Sequence, residues 1–150
     1  MKQYSYSFLD TVATLVGPGG DIDLGANAGA ADEGISVEQS EEINKMVVGA
    51  GGQGMHSLVA NKSARVTIRL LKTSPTNAAL STMVAFQRTS AVNHGQNLIA
   101  ISNKGLGDHI TCQQVAFAKI PTINYKAEGD FVEWELHSVN TDVALGAGPV

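Results

Sequence analysis

At the centre of the chain stands Ala64-Arg65-Val66-Thr67-Ile68-Arg69-Leu70-Leu71-Lys72-Thr73-Ser74-Pro75, in which a strand pattern runs into a helix start. Apolar and polar residues alternate along its first part, and a period of two places one side of a β-strand in a core. Arg65 and Arg69 then share the opposite, outward side. The stretch predicts a half-buried strand over 64–72, whose core-facing residues are Val66, Ile68 and Leu70.

A single helix is expected directly after this strand, over about residues 75–89. Ser74 is a candidate N-cap, because its hydroxyl can accept a hydrogen bond from a free backbone amide. Pro75 suits the first helical position, where the missing N–H is not needed. The apolar residues that follow at helical spacing are Ala79, Leu80, Met83, Val84 and Phe86.

Short β-like runs separated by glycine-rich turns make up the rest of the chain. Strands and helices do not alternate, and no internal repeat is visible. The expected fold class is therefore mainly β: one domain over residues 1–150, an antiparallel β-sandwich or barrel with one flanking α-helix. The other expected strands are 6–16, 21–24, 34–39, 45–50, 55–60, 97–102, 108–119 and 130–139.

Two segments are expected to stand out from this domain. An arm at about residues 38–61 contains the glycine cluster Gly49 to Gly54, yet the residues around the cluster are too apolar for a free loop. We expect a hairpin that becomes ordered against neighbouring subunits. Residues 145–150 are expected to form a loose tail. The apolar contact candidates on the arm are Met46, Val48, Met55 and Leu58.

Charge is sparse and segregated along the chain. Charged residues are 16% of the sequence, against about 25% in ordinary globular domains, which favours a surface partly covered by other subunits. The first third is acidic, and residues 43–107 contain no acid. Either the subunit neutralises itself, or an acidic face of one copy meets a basic face of the next. On the second reading, Arg65 or Arg69 pairs with acid from a neighbouring copy, for which the candidates are Glu38, Glu41 and Glu42.

Patterns that suggest catalysis or cofactor binding lack their structural context. Residues 49–54 spell G-x-G-x-x-G, but a strand pattern follows, and the next acid after the motif is Asp108. A dinucleotide site needs a helix there and an acid about 20 residues on. The four histidines lack metal-ligand spacing. Glu133 and Glu135 share one strand face, and such paired acids are far more often solvated than catalytic. No enzyme activity, cofactor or metal is expected.

Membrane and nucleic-acid recognition functions are also disfavoured. No apolar run approaches the roughly 18 residues of a transmembrane helix, and the first residues show no signal-peptide pattern. The net charge is −4, and the basic central segment has Phe86 as its only aromatic residue, whereas specific nucleic-acid binders combine basic charge with stacking aromatics.

The chain resembles the tail-tube proteins of contractile-tailed bacteriophages at several separated places in the same order. The most distinctive stretch is Arg69-Leu70-Leu71-Lys72-Thr73-Ser74-Pro75 with Asn77, at the helix entry. The resemblance spans nearly the whole chain up to about Trp134. Its other stretches are Tyr6-Ser7-Phe8-Leu9-Asp10, Val16-Gly17-Pro18-Gly19-Gly20, Glu33-Gly34-Ile35, Gly54-Met55-His56-Ser57-Leu58, Gly95-Gln96-Asn97 and Val115-Ala116-Phe117-Ala118-Lys119.

This resemblance implies a β-sandwich with one flanking helix, similar to the ring subunits of type VI secretion tubes. It implies that six copies form a ring, that strands from all six close an inner β-barrel, and that stacked rings make a tube through which DNA passes non-specifically. The expected partners are other copies of the chain and the tail sheath, baseplate and tail terminator proteins. The expected location is the virion tail, assembled in the host cytoplasm.

The alternative is a non-enzymatic β-sandwich module that binds carbohydrate or protein. Such a module would need a concave site with exposed aromatic residues. Aromatic residues are only 5% of the chain.

Overall fold

The computed structural model describes residues 5–25 and 30–147, which form nine strands, one α-helix and a 3₁₀ turn. Every strand pairing among them is antiparallel. The expected fold class, mainly β with one helix, is confirmed. The elements are the 3₁₀ turn Phe8–Asp10, β1 Thr11–Gly17, β2 Gly20–Asp23, β3 Ala30–Gln39, β4 Asn44–Val48, β5 Gly54–Leu58, β6 Ala64–Leu71, α1 Thr76–Gln87, β7 Asn97–Asn103, β8 Asp108–Lys119 and β9 Phe131–Ala144.

Seven strands form one sheet in the order β2-β1-β7-β8-β9-β6-β3, and β4 with β5 forms a separate two-stranded sheet. Residues from both ends of the large sheet, such as Leu15 and Ile68, are fully buried in one common core. A flat seven-stranded sheet could not bury both under one 12-residue helix, so the sheet folds over and packs its two halves against each other.

We call these halves the first and second layers. The first layer consists of β2, β1, β7, residues 108–113 of β8 and residues 140–144 of β9. The second layer consists of β3, β6, residues 131–138 of β9 and residues 115–119 of β8.

β8 and β9 pass from one layer to the other at a bulge. Gln114 has φ +53°, the left-handed region, and the register of β8 against β7 shifts at this point. An extra residue in one strand bends that strand and increases its twist. The buried Ser138 hydroxyl lies 3.0 Å from the Gln113 carbonyl oxygen and 3.1 Å from that of Asn140. Its proton satisfies backbone acceptors inside the bend.

Helix α1 closes one end of the core with Leu80, Met83 and Val84. The sequence also placed Ala79 and Phe86 in this apolar stripe, which is wrong, because both are exposed. Phe86 is 47% exposed, because residues 80, 83, 84 and 87 occupy the inward side at helical spacing. Gln87 takes the last inward position.

The entry to α1 is tied to β9 and differs from the expected cap by one residue. The Trp134 indole N–H donates to Asn77 Oδ1 at 3.0 Å. Pro75, with φ −67° and ψ −17°, is the N-cap residue and has no capping side-chain bond. Ser74 lies just before it, and its hydroxyl oxygen accepts from the Thr76 amide at 3.3 Å.

Several expected boundaries shift. The first expected strand begins with the 3₁₀ turn, in which the Ser7 hydroxyl accepts from the Leu9 amide at 3.1 Å. β9 continues to Ala144, because residues 140–144 pair with β8. Of the expected tail, residues 145–147 follow without regular structure, and residues 148–150 lie outside the described part.

A buried polar pair joins α1 to β7 and the β1–β2 turn. The Asn97 amide donates to Gln87 Oε1 at 2.9 Å and to the Val115 carbonyl at 3.0 Å, and Gln87 donates to the Pro18 carbonyl at 2.9 Å. A Cβ at Gly17 would overlap the Asn97 side chain, so the glycine lets the strand approach. The pair satisfies two buried amides that would otherwise destabilise the core.

We expect Gln87→Ala to lower the free energy of unfolding by roughly 1–3 kcal/mol, since it leaves the buried Asn97 amide with unmet hydrogen-bonding capacity. Urea unfolding of the free subunit measures the change. Gln96→Ala, the same substitution at an exposed site, is the control and should be nearly neutral. Equal stability of the two variants would contradict the role of the pair.

Candidate subunit interface

The β4–β5 hairpin exposes apolar side chains on both of its faces. Met46 lies opposite His56, and Val47 lies opposite Met55 on the other face. Every residue of both strands is exposed, and Leu58 reaches 88%. A two-stranded sheet without a core is at best marginally stable alone. Six exposed apolar residues lie on this hairpin or directly before it: Ile43, Met46, Val47, Val48, Met55 and Leu58.

The arm lies two residues further along the chain than the expected 38–61, because Glu38 and Gln39 belong to β3. The Ser40 amide donates to the Ser63 carbonyl at 3.0 Å, which closes the base. The arm therefore spans residues 40–63. Residues 49–53, which with Gly54 spell the nucleotide-binding motif, form its tip between the two strands.

The three acidic contact candidates have different surroundings. Glu41 accepts a hydrogen bond from the Asn61 amide at 2.9 Å and lies 3.4 Å from Lys45 Nζ. The Asn61 bond first, and Lys45 second, hold the pKa of Glu41 below its usual value. Glu42 is exposed at the arm base, whereas Glu38 lies opposite Arg65 across the β3–β6 pair.

Arg65 and Arg69 find acidic partners within their own chain. Arg65 Nε lies 2.8 Å from Glu135 Oε1, and Arg69 Nε lies 3.3 Å from Glu133 Oε2. Both acids come from β9, which pairs with β6. Both arginines therefore have partners in their own chain, although residues 43–107 contain no acid. They do not need acid from a neighbouring copy.

Glu135 contacts several basic side chains besides Arg65. Its carboxylate, 20% exposed, also lies 3.8 Å from Lys119 Nζ and 3.4 Å from His137 Nε2. The sequence interpretation treated Glu133 and Glu135 as merely solvated and missed this role. The alternation of Glu133 and Glu135 with Trp134 indicates that both glutamates lie on one face of their strand. Only the strand order shows that Arg65 and Arg69 lie beside them.

The two layers present very different outward surfaces. The outward side of the second layer, which we call the charged face, carries three acids and three permanent cations among its described side chains: Glu38, Glu133, Glu135, Arg65, Arg69 and Lys119. The strands of the first layer contain no Lys or Arg at all. Their outward side, the cation-free face, instead exposes Val12, Val16 and Leu98 by 40–43%.

The second layer ends in two open strand edges. β3 is the last strand of the sheet. β8 pairs with β7 only as far as Val115, so the far side of residues 116–119 pairs with no strand among residues 5–25 and 30–147. Such edges present unpaired backbone donors and acceptors that can add a strand from another molecule.

The opposite end of the sheet is less open. β2 has only four residues, and the turn before it packs beside the helix end, because a Cβ at Gly19 would lie 3.3 Å from the Phe86 ring. Edge-to-edge extension is therefore favoured at the second layer.

A cavity of about 690 Å³ opens beside the arm base and the charged face. None of the residues that line it is Phe, Trp or Tyr, which weighs against a carbohydrate-binding cleft. Within residues 5–25 and 30–147, no cluster of three or more His, Cys, Asp or Glu is placed to hold a metal. The described helix is too short to cross a membrane.

Solved structures with the same fold come from contractile injection systems. The chain matches the tube-terminating cap of the anti-feeding prophage with a TM-score of 0.58 and 12% identity, over 97% of this chain and 95% of that one. It matches the sheath/tube terminator structure of the PVC extracellular contractile injection system with a TM-score of 0.57 and 12% identity, over 95% and 98% of the two chains. The PVC sheath-tube complex matches at 0.57 and 10%, over 95% and 93%. The fold is that of contractile-system tube and terminator proteins.

Sequence comparison identifies the family. Residues 3–146 match the family described as bacteriophage PhiTE tail tube protein, and the chain belongs to it. The resemblance to phage tail-tube proteins is confirmed. Comparison with curated proteins finds no match.

We expect Arg65→Glu to destabilise the free subunit by about 1 kcal/mol, the scale of an exposed pair, because it places a third carboxylate between Glu135 and Glu38. Adding Glu135→Arg should restore part of the loss. Urea unfolding measures both changes, and Lys104→Glu, a charge reversal at an exposed residue of the β7–β8 turn, is the control. A loss no larger than that of the control would show that the pair within the chain contributes nothing.

Proposed function

We propose that this chain is a structural, non-enzymatic subunit of a phage tail tube, which assembles into stacked rings around a channel for DNA. Its membership of the tail-tube family supports the role. The assembly is inferred from the second layer, which is a block of four strands with an open edge on each side.

The directions of these four strands allow closure into a ring. β3 runs antiparallel to β6, β6 to β9, and β9 to β8. β3 and β8 therefore run in opposite directions. When β3 of one copy meets residues 116–119 of β8 on the next, the new pair is antiparallel, and every copy repeats the same contact. A closed ring of such contacts removes both open edges.

The number of copies follows from the family resemblance, which implies six. Six second layers would close one barrel, with the helix and the first layer outside it. The cation-free face, with its exposed Val12, Val16 and Leu98, then lies on the outer surface of the tube, where a tail sheath would cover it. Baseplate and terminator proteins are the expected partners at the two ends, in a virion tail assembled in the host cytoplasm.

The arm provides contacts between subunits. Its apolar side chains Met46, Val48, Met55 and Leu58 are more than half exposed in the described part of the chain. Burial stabilises apolar surface by about 25 cal/mol per Å², so a neighbouring subunit in the ring or stack is their natural partner. Glu41 and Glu42 at the arm base then lie at the rim of this contact. Arg65 and Arg69 are assigned to pairs with Glu135 and Glu133 within the subunit, and Glu38 lies opposite Arg65 in the strand register.

We expect the purified chain to form rings or hollow tubes, alone or after addition of a baseplate initiator, as seen by size-exclusion chromatography and negative-stain imaging. Ala118→Pro should block this assembly. Ala118 is the extra residue at a register shift between Phe117 and Lys119. Bulges and sheet edges tolerate proline, and the substitution removes one backbone donor from the segment 116–119.

Ala118→Val is the matched control, since it adds similar bulk and keeps the donor. The circular dichroism spectra of both variants should equal that of the native subunit. Assembly of the proline variant into normal tubes would exclude this edge, and a native chain that stays monomeric with its initiator would overturn the proposed function.

Hydrogen exchange tests the arm. Amides of residues 40–63 should exchange quickly in the free subunit and become protected by at least tenfold in the tube, because only assembly covers them. β6, whose core residues are already buried, provides the internal reference. If the arm is equally protected in both states, it is not an assembly contact.

A further inference from the structure

We propose that the charged face lines the channel of the tube, and that Glu133 and Glu135 neutralise Arg69 and Arg65 there so that passing DNA meets no free cation. This inference rests on the proposed function, because it requires an assembled tube. Beyond the proposed function, it identifies the surface that faces the DNA and the side chains that prevent this surface from binding the DNA.

The fold decides which surface can face inward. The inner side of the second layer is packed against the first layer, and residues such as Val66, Ile68 and Leu136 are fully buried there. When the open edges of the second layers join, only the outward side of these strands remains for the channel. The first layer lies on the other side of the core and therefore outside the barrel.

The exposed side chains agree with this placement. The middle of the charged face is polar, with Arg65, Thr67 and Arg69 on β6 opposite Glu133, Glu135 and His137 on β9. A water-filled channel suits such a surface. The exposed valines and leucine of the cation-free face are better suited to cover by another protein.

Each cation of the charged face is held by a carboxylate or balanced by one. Arg65 and Lys119 both approach Glu135, and Arg69 approaches Glu133 and donates to the Ser36 hydroxyl at 3.2 Å. Glu38 lies across the strand pair from Arg65. The formal charges of three acids and three permanent cations sum to zero.

This balance matters because each contact between a cation and a phosphate adds to the affinity of the channel for DNA. Each Lys or Arg that neutralises a phosphate releases counterions and strengthens binding. Every ring repeats Arg65 and Arg69, so unpaired arginines would present the DNA with regularly spaced phosphate contacts. Paired with glutamate, the same guanidinium groups stabilise the sheet without holding the cargo.

Cysteine accessibility tests the placement. Cys112 is buried, and burial raises the pKa of its thiol, so the native cysteine should stay silent. Thr67→Cys puts a thiol on the charged face, and Ala100→Cys puts one on the cation-free face. Both should react with a maleimide on a large polyethylene glycol in the free subunit. In bare tubes, only the cysteine at position 100 should react.

The outcomes separate the two proposals. Failure of the native chain to form tubes counts against the proposed function. Tubes in which position 67 reacts with the large reagent as fast as position 100 keep the proposed function and overturn the channel assignment.

Charge substitution tests the neutralising role. Tubes of Glu133→Gln with Glu135→Gln should protect a short labelled DNA duplex from nuclease at about 50 mM salt and release it by about 200 mM, the range over which 6–10 phosphate contacts lose roughly 10³–10⁵ in affinity. Native tubes should retain little at either salt. Nuclease removes any duplex on the outer surface.

Two controls complete this test. Asp21→Asn with Glu128→Gln removes the same charge at exposed residues outside the charged face and should behave as native. Adding Arg65→Gln and Arg69→Gln to the glutamate variant should abolish retention. Equal retention by the glutamate variant and the Asp21/Glu128 control, whether high or absent, would overturn the role of Glu133 and Glu135.

Discussion

The pairing of β8 with β9 is the interaction on which the rest of the subunit depends. These are the two longest described strands, and they belong to both layers. Because their backbone hydrogen bonds run through the bend near Gln114 and Ser138, the sheet can fold over without breaking the ladder. The apolar sides of both layers then bury each other, and α1 closes the remaining opening.

This bend also separates the surfaces available for assembly. It frees residues 116–119 of β8 from β7 and leaves β3 as the outer strand of the second layer, so one four-strand block has two open edges. It turns the charged face and the cation-free face in opposite directions. A subunit with these features has distinct surfaces for a neighbour, for a channel and for an outer covering.

The sparse charge of the chain acquires a structural meaning in this arrangement. The described permanent charges of the second layer occur in ion pairs or opposite a partner, whereas the first layer has no Lys or Arg. The exposed pairs contribute little to stability individually, about 0–1 kcal/mol each. Their larger effect is on the electrostatic potential of the face they occupy, and a balanced face does not attract a polyanion.

The amino-acid sequence by itself determined the fold class, the strand at 64–71, the single helix after it, the exposed hairpin and the family, because alternation, helical spacing, glycine turns and motif order are local properties of the chain. The partners of Arg65 and Arg69, the inward position of Gln87 and the identity of the open edges were decided only by the tertiary structure. Each depends on which strands or helices become neighbours, and that order is set by the packing of distant segments. Arg65 meets Glu135 solely because β6 pairs with β9. The alternation around Trp134 places both glutamates on one face of their strand but does not show which strand lies beside it.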